Sequence, residues 1–303
     1  MFAKTLLPAL LAIASVASAQ TQTQTATPRQ PPALTERVHY GANAAAGHTF
    51  MHDGVSLYYE VYGSGQPLLL IHGNGGSIGE MSAQIAYFRR HYKVIAMDSR
   101  DQGRSGDSPG EITYEAMADD LAALLDHLKT PKVDVLGWSD GGIEALLLGI
   151  RHPEKVGKIA SMAANLDPEG AHPEAIALIQ SMQTSMPAAK KDTPTGKRDL
   201  KMFNLMLKQP QIKPEALEAI TAPTLVLASD HDLISDEHTL LIYHHLPNSQ
   251  LCIFPNATHM IPYDNPPLFD TTVDRFLRTP FVKKDRVKDA MTSYEALKSS
   301  TTR

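Results

Sequence analysis

The chain has 303 residues, 43% of them apolar, enough for one large domain with an insertion. Its formal charge of −5 argues against nucleic acid as a main partner. A single cysteine, Cys252, excludes an internal disulfide, and the 13 histidines give no Cys/His ligand cluster, so a metal site is not expected.

Lys4, an apolar run from Leu6 to Val16 and the small residues Ala17-Ser18-Ala19 have the three-part pattern of an export signal over residues 1–19. The run is too short to span a bilayer. The expectation is cleavage after Ala19, a secreted or periplasmic protein, and no stable membrane insertion afterwards. Residues 20–37 are rich in Thr, Gln and Pro and read as a flexible linker.

Strands are expected over His48–Met51 and Val55–Tyr62, with Asp53-Gly54 as the turn between them. Pro67–Ile71 and Val94–Met97 are continuous apolar runs, as in strands covered on both faces. Helices are expected near 81–90 and 114–128; the second repeats Met117, Leu121, Leu124, Leu125 and Leu128 at helical spacing. Val133–Leu136 is a further buried strand, Ile143–Ile150 a helix, and Lys158–Met162 another short strand. The alternation then breaks. Residues 165–220 hold prolines, methionines and two amphipathic stretches, Pro173–Met186 and Arg198–Lys208, and read as an inserted helical cap. Strand and helix alternate again at Pro223–Ala228, Asp236–Leu246, Gln250–Phe254 and Pro267–Leu277. Residues 282–303 form a charged tail. The core is therefore 38–164 and 221–281, an α/β fold with a doubly wound, mostly parallel, eight-stranded sheet.

In such sheets ligands sit at the carboxyl ends of the strands. Gly137-Trp138-Ser139-Asp140-Gly141 follows one strand and opens a helix, the G-x-S-x-G pattern of a nucleophile elbow. Gly137 and Gly141 lack the Cβ atoms that would clash where strand and helix approach. Ser229-Asp230-His231-Asp232 follows a second strand, and Asn256-Ala257-Thr258-His259 a third. Serine, acid and histidine thus recur in the order of a hydrolytic triad. Ser139 is the expected nucleophile, His259 the base, and Asp232 or Asp230 the orienting acid. Asp230 follows the same strand and stays open as the acid; Asp264 is expected to cap the next helix. The N–H groups of Asn74 and Asp140 are expected to form the oxyanion hole, and His72 to make structural hydrogen bonds.

These motifs resemble the α/β-hydrolase superfamily over residues 48–280: His72-Gly73-Asn74-Gly75, Asp98 with Arg100, Gly103 and Ser105, the elbow, Asp232 and His259. The resemblance implies a serine hydrolase without a cofactor. It places the oxyanion residue at Asn74, and its acid spacing favours Asp232. The segment 137–143 further resembles biphenyl hydrolase-like and valacyclovir hydrolase-like esterases. Two positions depart from the family pattern, Asp101 and Ser229, where relatives carry glycine. The implied function is cleavage of small esters, lactones or amides. C–C hydrolysis, aminopeptidase action, acyl transfer and non-catalytic ligand binding are the alternatives. Asp140 is also a candidate substrate-binding residue, whose carboxylate would meet a substrate amine. Met182, Met186, Met202, Phe203, Leu205 and Met206 read either as packing or as lining for an adaptable acyl pocket. Lys190, Lys191, Lys197 and Arg198 read as solvated surface.

Overall fold

The structure, a computed structural model, describes residues 38–301. The export signal and linker expected from the sequence lie outside the described residues. Two strands open the fold, β1 (Gly47–His52) and β2 (Val55–Tyr62). Asp53 and Gly54 between them both have positive φ, as a two-residue hairpin turn requires. Next come β3 (Gln66–Ile71), α1 (Ser82–Phe88), β4 (Tyr92–Met97), α2 (Tyr114–His127), β5 (Val133–Trp138), α3 (Asp140–Arg151) and β6 (Val156–Met162). Between β6 and the next strand lie α4 (Pro173–Thr184), α5 (Ala188–Lys191) and α6 (Pro194–Lys208). The chain continues with β7 (Thr224–His231), α7 (Asp236–His245), β8 (Ser249–Thr258), α8 (Ile261–Asp264), α9 (Pro266–Arg278) and α10 (Arg286–Thr301).

The eight strands form one sheet in the order β1-β2-β4-β3-β5-β6-β7-β8. Pairing is antiparallel across β1-β2-β4 and parallel from β4 to β8. Alternate side chains of each buried strand enter different layers. Leu69, Ile71, Val133 and Val135 pack with Met117 and Leu121 of α2, Leu146 of α3 and Ile242 of α7. Leu68, Leu70, Val94 and Leu136 pack on the other face with Ile85 and Phe88 of α1 and Phe269 and Val273 of α9. Each such aliphatic side chain contributes about 1.5–3 kcal/mol by leaving water. Helices on both faces make the sheet doubly wound, as the unbroken apolar runs predict.

His48 and His52 stand four apart, a ligand spacing on a helix. They lie on β1 instead, where four residues span roughly 13 Å. Among the described residues no group of three or more His, Cys, Asp or Glu could hold a metal ion, and no helix is long and apolar enough to cross a membrane.

One buried acid ties α9 to the site-bearing edge. Gln84 Nε2 donates to Asp270 Oδ1 at 3.1 Å and to the Pro262 carbonyl at 3.0 Å. Burial pushes the Asp270 carboxyl up to about 7, against about 3.9 in an unfolded chain. The folded state therefore holds a proton that the unfolded state releases between those values. Asp270's contribution to stability is complete below about pH 4 and is lost as pH rises to about 7. Asp270→Asn keeps the neutral form. Its melting temperature should exceed that of the parent at pH 8, with the difference vanishing near pH 4, in thermal unfolding followed by circular dichroism.

Candidate active site

The elbow between β5 and α3 is a tight approach of strand and helix. Ser139 has φ 58° and ψ −120°, a left-handed conformation costly for a residue with a Cβ. Its N–H donates to the Met162 carbonyl at 2.8 Å, and its carbonyl accepts from Gly142 and Ile143. It occupies the N-cap position of α3, yet its hydroxyl makes no capping bond. The hydroxyl turns to His259 instead. A Cβ on Gly137 would meet the Gly141 carbonyl oxygen at 1.9 Å, and one on Gly141 would meet the Ile71 carbonyl oxygen at 2.3 Å. Gly137→Ala therefore forces strand and helix apart. Its expected cost is about 4 kcal/mol or more, enough to abolish cooperative unfolding. Gly75→Ala, where φ is +67° and nothing lies within 4 Å of the added atom, should cost only about 1–2 kcal/mol. Urea unfolding of the two variants checks the contrast.

His259 follows β8, and Asp232 follows β7, its parallel neighbour. His259 Nε2 lies 3.0 Å from Ser139 Oγ, and its Nδ1 lies 2.6 Å from Asp232 Oδ1. A carboxylate at Nδ1 keeps the proton there and leaves Nε2 free to accept from the serine. Asp232 is buried and held in place: its Oδ1 also accepts from Leu233 N at 2.7 Å, and its Oδ2 from Ser229 N at 3.2 Å. Ser229, one of the two departures, also donates its hydroxyl to the Thr258 carbonyl at 2.8 Å and so clamps β7 to β8 beside His259. Asp230 points elsewhere. It accepts from Asn256 N and Ala257 N at 2.7 and 3.0 Å, and these bonds, with His231, hold its carboxyl at about 2. Asp264 is not the cap of α9; Asn265 fills that role, accepting from Leu268 N.

Asn74 lies in the turn after β3, and Asp140 is the first residue of α3, where a backbone N–H has no intrahelical acceptor. The two residues are joined directly, Asn74 Nδ2 donating to Asp140 Oδ2 at 2.8 Å. The Tyr114 hydroxyl bonds to the same carboxylate, and burial raises the Asp140 pKa. The carboxylate expected to face a substrate amine is thus bonded inward by two neutral donors. His72 is structural, as expected: its Nε2 accepts from Ser99 N at 3.1 Å, so Nδ1 carries the proton and donates to the Gly73 carbonyl at 2.8 Å. Asp98 fixes the same turn, accepting from Ile78 N and Arg104 N at 2.7 Å each.

Several contributors escaped the sequence reading. Trp138 Nε1 donates to the His259 carbonyl at 2.9 Å, so the residue before Ser139 anchors the histidine loop. Asp101, the other departure, has φ +62°, the region glycine enters freely. Its carboxylate bonds Ser108 and pairs with Lys201 of α6. Arg198, expected on solvated surface, bridges Asp107 and the carbonyls of Gly103 and Ser105, and Lys190 pairs with Asp199. The Lys190 pair joins α5 to α6 within the cap, whereas the Lys201 and Arg198 pairs latch α6 to the loop after β4. A stretch of 91–100 residues separates the partners, so no local pattern announces them.

A cavity of about 70 Å³ touches Ser139 and His259. Tyr114, Asp140, Asn165 and Gln209 give its polar edge, and Ala175, Ile176, Ile179, Met206, Leu233 and Ile234 most of its apolar wall. Of the six apolar cap residues noted in the sequence, only Met206 lines it. Met202 and Leu205 belong to the core, and Met182 is half exposed.

An eight-stranded α/β sheet with serine, acid and histidine at the carboxyl ends of β5, β7 and β8 is the arrangement of the α/β hydrolases, and the chain is a member of that superfamily. A family model described as alpha/beta hydrolase fold matches residues 66–195. The chain is 26% identical to 3-oxoadipate enol-lactonase 2 of Acinetobacter baylyi over 252 residues, 74% of this chain and 94% of that one. It is 37% identical to the putative carbamate hydrolase RutD of Azorhizobium caulinodans over 108 residues, 35% of this chain and only 41% of that protein. Among solved structures it is similar to MGS-M2, an alpha/beta hydrolase from a deep-sea metagenome library, with TM-score 0.69, 19% identity, and coverage of 78% of this chain and all of the other.

Proposed function

We propose that the protein is a serine hydrolase that cleaves small esters, lactones or amides through an acyl-enzyme on Ser139. The observation that carries this reading is the continuous series from Ser139 Oγ through both nitrogens of His259 to Asp232, at 3.0 and 2.6 Å. Ser139 Oγ attacks the carbonyl carbon as its proton passes to His259 Nε2. The imidazolium, stabilised by Asp232, returns that proton to the leaving oxygen or nitrogen as the bond breaks. Water then repeats the sequence against the acyl-enzyme and releases the acid. The N–H groups of Asn74 and Asp140 receive the developing oxyanion, each such donor contributing about 3 kcal/mol to the barrier reduction. The Asp140 carboxylate serves to fix Asn74 beside it. Lactones enter the substrate range on the enol-lactonase resemblance.

Fluorophosphonate labelling tests the core of this reading, because only an activated serine reacts. Stoichiometric labelling of the parent and none of Ser139→Ala is expected; an unlabelled parent overturns it. The residues before Gln20 support export, and N-terminal sequencing of the protein from its native host tests cleavage after Ala19.

A further inference from the structure

The cavity beside Ser139 is small. About 70 Å³ is roughly half of a cavity that holds one benzene, about 150 Å³. It has room for about three or four non-hydrogen atoms. A much larger groove, about 790 Å³, lies alongside it, lined by Asp167, Glu169, Leu207, Lys208 and Gln211. This groove touches neither Ser139 nor His259. Two residues, Pro168 and Ile176, border both spaces.

The shared wall is stiff. Pro168 has a fixed φ and opens a short 3-10 helix over Pro168–Gly170. Ile176 sits within α4, where a β-branched side chain keeps one strongly preferred rotamer. Ile179, one turn further along α4, extends the apolar wall of the smaller space. The acyl group stays attached to Ser139 until water releases it, so it occupies the smaller space next to the serine. The alcohol leaves first and needs an open route.

We propose that Ile176, backed by Pro168, is a specificity-determining residue that limits the acyl side of the substrate to about two to four carbons, making the substrates short-acyl esters. The proposal rests on the serine hydrolase reading. Shortening Ile176 joins the small cavity to the large groove and admits longer chains.

The test is kcat/KM for p-nitrophenyl acetate, butyrate and octanoate, with active sites counted by fluorophosphonate labelling. The parent should favour butyrate over octanoate by about tenfold or more, since one poorly accommodated methylene costs roughly that much. Ile176→Ala should raise the octanoate-to-acetate ratio by about tenfold. Ile176→Val, which removes one methyl group and keeps the branching, should move the ratio the same way by less. A fully labelled parent that hydrolyses octanoate as well as butyrate overturns the proposal. So do folded, labelled variants whose ratios match that of the parent. Failure to label at all is a different result, one that removes the serine hydrolase reading itself.

Discussion

Ser139→Ala is expected to lower kcat by on the order of 10⁶ while leaving the fold intact. In the proposed mechanism the serine and histidine act as a unit, so His259→Ala should cost about as much, and the double variant little more. The residual rate, about 10³–10⁴ above water, would come from the oxyanion donors and substrate binding. Stability should not fall with activity. The φ of 58° at Ser139 is imposed by the turn and is equally unfavourable for alanine. Ser139→Gly should therefore be just as inactive but more stable, by about 1 kcal/mol, because glycine enters that region freely. Calorimetry and steady-state kinetics on these variants and the parent check both halves. A Ser139→Ala protein with near-parental turnover would place the nucleophile elsewhere.

What the sequence made legible follows from which interactions are local. Unbroken apolar runs such as Leu68–Ile71 can be buried only between two layers, so the doubly wound sheet follows from them. The elbow was legible because its requirements lie within five residues: no Cβ at 137 or 141, and a hydroxyl at 139. His259 and Asp232 were legible because each directly follows a strand, and adjacent strand ends share one edge. The cap was legible as helices but not as contacts. Lys201 sits opposite Asp101 only because α6 folds back over the loop after β4, and the sequence of α6 alone fits a solvated face equally well. Trp138 looks like one more core aromatic until its indole N–H is seen on the His259 carbonyl. Ser229 and Asp101 stand where the family pattern has glycine, and each brings a side-chain bond that glycine could not make. Their effect on the loops was invisible without the partner atoms.

Asp232 and Asp230 offer the sharpest separation, since both follow β7 and both are bonded. Asp232→Asn is expected to lower kcat by on the order of 10⁴. The amide fits the same space, but it no longer favours the proton at Nδ1, and its NH₂ can hold the ring in the tautomer with a proton on Nε2. That nitrogen then cannot accept from Ser139. It also removes the charge that stabilises the imidazolium. Asp230 carries its charge at the surface end of β8, on Asn256 N and Ala257 N, and touches neither His259 nor Ser139. Asp230→Asn should therefore leave kcat within a few-fold of the parent and act on stability. Its carboxyl is held at about 2, below the unfolded value of about 3.9. The stability it contributes is present above about pH 4 and is lost as pH falls towards 2. Asp230→Asn should thus be less stable than the parent above about pH 4, with the difference vanishing towards pH 2, and keep its rate, whereas Asp232→Asn should lose rate at neutral pH. If the large loss of kcat fell on Asp230→Asn instead, the histidine would have to be oriented from the other side of the β7–β8 end, and the hydrogen bond of 2.6 Å at Asp232 would be incidental to the chemistry.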